Sequence, residues 1–134
     1  VDEYYKPSED EPFMNERQRD YFRMKLLAWK EDILKESKET IAHLQDENHV
    51  LPDLADRASS ETDRSLELRT RDRQRKLISK IDAALRRIDS GEYGYCEKTG
   101  DPIGLRRLIA RPVATMTVEA QEAHERREKI SRDD

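Results

Sequence analysis

Apolar side chains recur at helical steps over two long stretches of this chain and lose that rhythm before, between and after them. Asn15 suits an N-cap. From there Phe22, Leu26, Trp29, Ile33, Thr40 or Ile41, and Leu44 advance by threes and fours or by whole turns, which predicts one helix to about Gln45 with a single apolar stripe. At about 1.5 Å per residue that helix is ~45 Å long. A second stripe, Leu66, Thr70, Leu77, Ile81, Ala84, Leu85 and Ile88, predicts a return helix. It starts somewhere between Asp53 and Ser60 and runs to about Asp89, with Ser90-Gly91 as its stop. Stripes of similar length bury most simply against each other, so the expected fold is mainly α: a long antiparallel helical hairpin with coiled-coil packing. Phe22, Met24 and Trp29 are read as seam residues rather than as a cofactor pocket. Residues 45 to 65 are weakly apolar, and that section should be held loosely.

The turn between the two helices falls at Leu51-Pro52-Asp53-Leu54-Ala55-Asp56-Arg57-Ala58-Ser59-Ser60. Pro52 has no backbone N–H and biases Leu51 away from helical angles, so an arriving helix stops before it. Asp53, Asp56, Ser59 and Ser60 then offer oxygens that cap a new helix, with Ser60-x-x-Asp63 as a weak capping box. Two carboxylates therefore sit at the far end of the hairpin.

Outside the hairpin the character changes. Residues 1 to 14 contain Pro7, Pro12 and several acids without periodicity, as in a tail or an arm laid on the surface. Tyr93-Gly94-Tyr95-Cys96 and Thr99-Gly100-Asp101-Pro102-Ile103-Gly104 concentrate turn residues, which predicts short strands and tight turns. A last helix should start near Thr115 or Thr117 and end near Ser131, with Glu119 and Glu122 early and Arg126, Arg127, Lys129 and Arg132 late, the order that suits the helix dipole. The domain reading is thus a tail over 1–14, a coiled-coil hairpin over 15–90 with its tip near 51–60, and a small degenerate zinc-ribbon-like part with a C-terminal helix over 91–134.

Composition sharpens this picture. Of 134 residues, 34% are hydrophobic and 42% charged, against an ordinary charged share of about 25%. Long helices that expose most of their circumference accommodate such a balance, because a coiled-coil seam uses roughly two positions in seven. Full disorder is disfavoured, since the apolar residues are periodic. No apolar run approaches the ~20 residues of a membrane span and no signal pattern opens the chain, so a cytoplasmic protein is expected. The one cysteine, Cys96, leaves no internal disulfide to form. The net charge of −4 is unevenly spread: residues 1–63 carry 9 basic and 17 acidic side chains, residues 64–134 carry 17 and 13. General electrostatic capture of nucleic acid is therefore not expected, although a local basic face could hold one anionic ligand.

Candidate chemistry lies in two places. Tyr95-Cys96-Glu97-Lys98-Thr99-Gly100 has the knuckle layout of a zinc ribbon, with threonine at the second ligand position. The second knuckle would fall at Thr117-Val118-Glu119-Ala120. The spacing suits a structural zinc site, but Thr99, Thr117 and Ala120 supply no thiolate, and His124 one turn beyond Ala120 would add only one nitrogen to Cys96. No zinc is expected on that count. Elsewhere, Asp53 and Asp56 share a helical face and could engage a bound metal, a basic loop or backbone amides, or could serve only as caps. No Ser-His-Asp set or phosphate loop is present, and His43, His49 and His124 are scattered, so no catalytic residues are assigned and the chain is read as not an enzyme.

Taken together, Asp53-x-x-Asp56-x-Ala58, Ser65-Leu66-Glu67-Leu68-Arg69-Thr70-Arg71-Asp72-Arg73, Tyr93-Gly94-Tyr95-Cys96 and Ile103-Gly104-Leu105-Arg106-Arg107-Leu108-Ile109-Ala110-Arg111-Pro112 resemble the DksA family of bacterial transcription factors, in its cysteine-poor, zinc-free subgroup. The resemblance spans the chain from Tyr5-Lys6-Pro7 to the C-terminal helix. It implies a monomer that binds RNA polymerase through the secondary channel, holds an acidic tip near the active site, and modulates initiation with the alarmone ppGpp in the stringent response, without sequence-specific DNA contact or a membrane. By position it makes Asp53, Asp56 and Ala58 the modulating tip, Arg73 a polymerase contact, and Leu77, Lys80 and Arg111 the ppGpp-facing residues. A further basic position of that alarmone site is the neutral Gln121 here. A transcript-cleavage factor of the same channel, or a coiled-coil scaffold, are the alternatives; the ribbon remnant and the DxxDxA spacing favour the first reading.

Overall fold

The computed structural model describes the backbone of residues 4–46 and 54–133 and, within it, the side chains of 4–43 and 61–130. Four helices follow in order: α1 (Glu16–Asp46), α2 (Leu54–Ser90), α3 (Leu105–Ala110) and α4 (Val118–Asp133). The chain divides into two compact units, unit 1 comprising Val1–Leu26 with Ala83–Asp134 and unit 2 comprising Leu27–Asp82.

Local chemistry sets the helix ends. Asn15 Oδ1 accepts the Gln18 N–H at 2.9 Å, the N-cap geometry expected from the sequence. At the end of α2, Gly91 takes φ 81°, and the N–H groups of Glu92 and Tyr93 bond the Arg87 carbonyl at 2.9 and 3.0 Å. A left-handed glycine there closes the orphan carbonyls of the last turn. α4 is capped by Thr117, whose Oγ1 accepts the Ala120 N–H at 3.2 Å and whose carbonyl accepts that of Gln121 at 2.9 Å.

Unit 1 holds most of the buried apolar side chains. Phe22 and Leu26 of α1 and Ala84 and Ile88 of α2 are joined there by Tyr93, Ile103, Leu105 and Leu108. Phe22 stacks tilted on Tyr93 at 5.5 Å between ring centroids. The N-terminal residues belong to this unit rather than trailing from it. Met14, at φ 53°, is buried against Gly94, where a Cβ would stand 2.8 Å from Met14 Cγ; with its own φ of 92°, that glycine has neither room nor angle for a side chain. Gln18 is wholly buried, its Oε1 accepting the Met14 N–H at 2.8 Å and its Nε2 donating to the Ser8 carbonyl at 3.2 Å. Tyr5 donates to the Glu11 carboxylate and lies under the Arg17 guanidinium, 4.0 Å from the ring centre.

The 91–112 segment departs from expectation. Instead of short strands it has one antiparallel bridge, Tyr95 to Pro102, flanked by the Cys96 N–H to Asp101 carbonyl bond at 2.8 Å and the Ile103 N–H to Gly94 carbonyl bond at 2.7 Å. Positive φ angles at Gly94, Gly100 and Gly104 turn the chain too often for a ladder to extend. The helix α3 has no counterpart in the sequence pattern: its six residues are too few for periodicity to register, yet Leu105 and Leu108 face the core three residues apart.

In unit 2 the helices run antiparallel. As the α1 partner advances from Lys30 to Glu36 to His43, the α2 partner retreats from Asp82 to Gln74 to Glu67. Ile33 and Ile81 are its buried apolar residues among those described. Two residues expected in the seams are not there: Met24 is 42% and Leu66 53% exposed. Met24 lies two residues from Leu26, on another face of α1, and at the level of Leu66 the contact across the helices is the polar pair His43–Glu67.

Candidate functional site

The tip residue Asp53 lies outside the described residues. Asp56 and Ala58 fall in the first turns of α2, and their side chains also lie outside those described.

The basic part of unit 2 is fully described. Arg69, Arg73, Lys76 and Lys80 are exposed and stand at steps of four, three and four, which places them on one face of α2. Arg73 donates to Thr70 Oγ1 at a long 3.4 Å. A shallow groove beside it is lined by Leu66, Arg69, Thr70, Asp72, Arg73 and Lys76. Leu77, one of the ppGpp-facing residues by resemblance, is half-buried, and Lys80 is exposed. Arg69 and Lys76 are not among the residues singled out from sequence, although the same helical spacing that groups them with Arg73 was there to be read. Such a face can attract an acidic surface or a phosphate ligand.

Arg111 and Gln121 lie in unit 1. Arg111 is exposed, its N–H bonded to the Arg107 carbonyl at 2.7 Å. Pro112 after it is fixed by the Tyr93 hydroxyl, which donates to its carbonyl at 2.8 Å; burial pushes that hydroxyl's pKa far up. Gln121 Nε2 donates to Glu125 Oε1 at 3.1 Å, one turn along α4.

The four zinc-ligand positions are also in unit 1. Cys96 is 3% exposed. Burial pushes its thiol up, but hydrogen bonds from the Thr99 hydroxyl and from the backbone of Thr117, Lys98 and Thr99 outweigh burial and bring it down to about 7. Thr99 Oγ1 also accepts the Asp101 N–H at 3.2 Å, and Thr117 and Ala120 are joined to each other in the α4 cap. His124 is turned to Glu128, with Nε2 to Oε1 at 3.1 Å. Arg87 Nη2 holds the Tyr95 carbonyl at 2.8 Å and Arg107 Nε the Met116 carbonyl at 2.9 Å, so side chains from two helices hold the turns of both knuckles.

An antiparallel helix pair joined to a glycine-turned, ribbon-like unit defines the class of this protein. The family described as DnaK suppressor protein DksA, N-terminal domain, matches residues 18–88, and the prokaryotic dksA/traR C4-type zinc finger matches residues 91–126. The chain is 75% identical over 130 residues to the RNA polymerase-binding transcription factor DksA of Caulobacter vibrioides, covering 97% of this chain and 92% of that one. To the Escherichia coli protein of the same name it is 45% identical, covering 95% and 84%. The solved structure of transcription factor DksA2 from Pseudomonas aeruginosa superposes with a TM-score of 0.82 at 42% identity, covering 92% and 94% of the two chains. The chain belongs to the DksA family.

One expectation is corrected by these matches. Counting ligands at Cys96, Thr99, Thr117 and Ala120 leads to no zinc, but residues 91–126 belong to a C4-type zinc finger by family, and that points to zinc binding. The count rests on four positions, whereas the family pattern runs through the whole turn-rich segment. The donors found there, one thiol among hydroxyls and a methyl group, do not make a four-cysteine set, and among the described residues no group of three or more His, Cys, Asp or Glu could hold a metal. Among the described residues, no helix is long and apolar enough to cross a membrane.

Proposed function

We propose that this chain binds RNA polymerase and regulates transcription from the cytoplasm, as a monomer and without catalysing a reaction itself. The observation that carries this reading is the 75% identity, over 97% of the chain, to a relative named an RNA polymerase-binding transcription factor. In finer detail, the helix pair enters the secondary channel and the tip residues Asp53, Asp56 and Ala58 act near the active site at initiation. Arg73 contacts the polymerase, and the exposed cations Arg69, Lys76 and Lys80 on its helix face support that assignment, since they attract acidic protein surface. Leu77, Lys80 and Arg111 are the residues that face ppGpp. Each charge-assisted contact to a phosphate contributes about 1.5–3 kcal/mol, so the neutral Gln121 weakens coupling by roughly tenfold or more without abolishing it.

In vitro transcription with added chain, titrated with ppGpp, tests the reading. Asp56→Asn should keep polymerase affinity and lose regulation. Gln121→Lys should lower the ppGpp midpoint, and Lys80→Ala should raise it. Equal loss of affinity and regulation in Asp56→Asn would make Asp56 a docking contact, and unmoved midpoints in both other variants would remove the alarmone assignment.

A further inference from the structure

The helix pair of unit 2 is closed in two different ways along its length. At one level Ile33 and Ile81 are buried, 4% and 0% exposed, with the Lys30–Asp82 pair beside them at 2.7 Å. Further along α1 Ile41 is half-buried, and Glu36 and His43 make polar contacts with α2. Glu36 Oε2 accepts from Gln74 Nε2 at 3.4 Å, and His43 Nε2 stands 2.9 Å from Glu67 Oε1. Between these pairs lie half-buried Thr40 and Thr70, whose hydroxyls turn back to the carbonyls of Glu36 and Leu66 on their own helices and join nothing across the gap. Two buried acceptors at this level, Glu67 Oε2 and Gln74 Oε1, have no hydrogen-bond partner.

Parting the helices has opposite consequences at the two levels. Around Ile33 and Ile81 it exposes apolar surface, which is unfavourable. Around Glu67 and Gln74 it hydrates two acceptors that the closed state leaves bare, which is favourable. The two polar pairs are also seven residues apart on both helices, one heptad, so both belong to a single register of the helix pair.

We propose that residues 36–43 of α1 and 67–74 of α2 form a soft joint: they separate and reclose locally while the level of Ile33 and Ile81 stays shut. The joint is a property of the chain alone and does not depend on polymerase or ppGpp binding.

Amide hydrogen exchange on the full chain tests it. Amides of 37–43 and 67–74 should exchange at least about tenfold faster than those of 29–33 and 78–82, the factor expected from the loss of roughly one net hydrogen bond. The double variant Glu67→Leu, Gln74→Leu extends the apolar seam and should slow the joint to the rate of its neighbours with helicity unchanged, each single leucine giving part of the effect. Uniform protection along unit 2 in the wild type overturns the proposal, and so does an unslowed joint in the singly substituted chains. The single variants also decide the matter if the double variant self-associates.

Discussion

In unit 1 apolar side chains converge from the N-terminal residues, α1, α2, the glycine turns and α3, and aromatic rings meet at 5.2 to 6.0 Å. In unit 2 the buried apolar residues among those described are two isoleucines, and polar pairs link the two helices beside them. Both units carry apolar side chains in this chain with 42% charged residues, but among the described residues the buried ones cluster in unit 1. The consequence, among the described residues, is a firm unit 1 and a lightly held unit 2 that leaves its outer faces to charge. The basic face of α2 lies in the second.

The largest expected effect breaks the comparison at its strong side. Phe22→Ala removes a ring that is 1% exposed and packed on Tyr93, and should destabilise the protein by about 3–5 kcal/mol in urea denaturation, with lost amide protection confined to unit 1. Loss of protection in unit 2 to the same degree would show that the two units unfold as one.

A smaller effect comes from Tyr93→Phe, which removes the hydroxyl bond to the Pro112 carbonyl and should reduce stability by about 0.5–1.5 kcal/mol. It also carries a pH signature. Because burial raises the folded pKa of this hydroxyl above its usual value, its contribution is complete below about 10 and is lost as pH rises further. Wild-type stability should therefore fall more steeply above about 10 than that of the phenylalanine variant; parallel curves would mean the hydroxyl is hydrated.

The smallest effect sharpens the comparison at its weak side. Lys30 and Asp82 are each about one-third exposed, so Lys30→Met should shift stability by only about 0.2–1 kcal/mol. A loss several times larger, seen in thermal denaturation, would show that the polar ties, rather than Ile33 and Ile81, hold unit 2 together.

Much of the fold was legible because its signals are local and repeated. Asn15 as a cap, the stop at Gly91 and the start of α4 after Thr117 each follow from the chemistry of one or two residues. What could not be read depended on distant partners. Gln18 reads as a polar helix residue, and only Ser8 and Met14 folding over it make it buried. Met24 and Leu66 read as seam residues because hydrophobicity alone does not say which face meets a partner. α3 was hidden by its shortness. Of the candidate site, the cationic row on α2 was in the spacing, while the zinc expectation failed by weighing four positions against a pattern that the whole segment carries.

Unit 1 is assembled from both ends of the sequence, and this bears on the order in which the chain can fold. Met14 finds its place against Gly94 and Phe22 against Tyr93, so the first part of α1 has no partner until α2 has left the ribosome. Unit 2 is continuous, Leu27 to Asp82, and all of it emerges before the second half of unit 1 does. During synthesis the lightly held helix pair thus precedes the firm core, and closing that core requires a long loop, the slow kind of contact. A nascent chain stalled just after Asp82 would present Met14, Phe22 and Leu26 uncovered, a temporary apolar surface for a chaperone to hold.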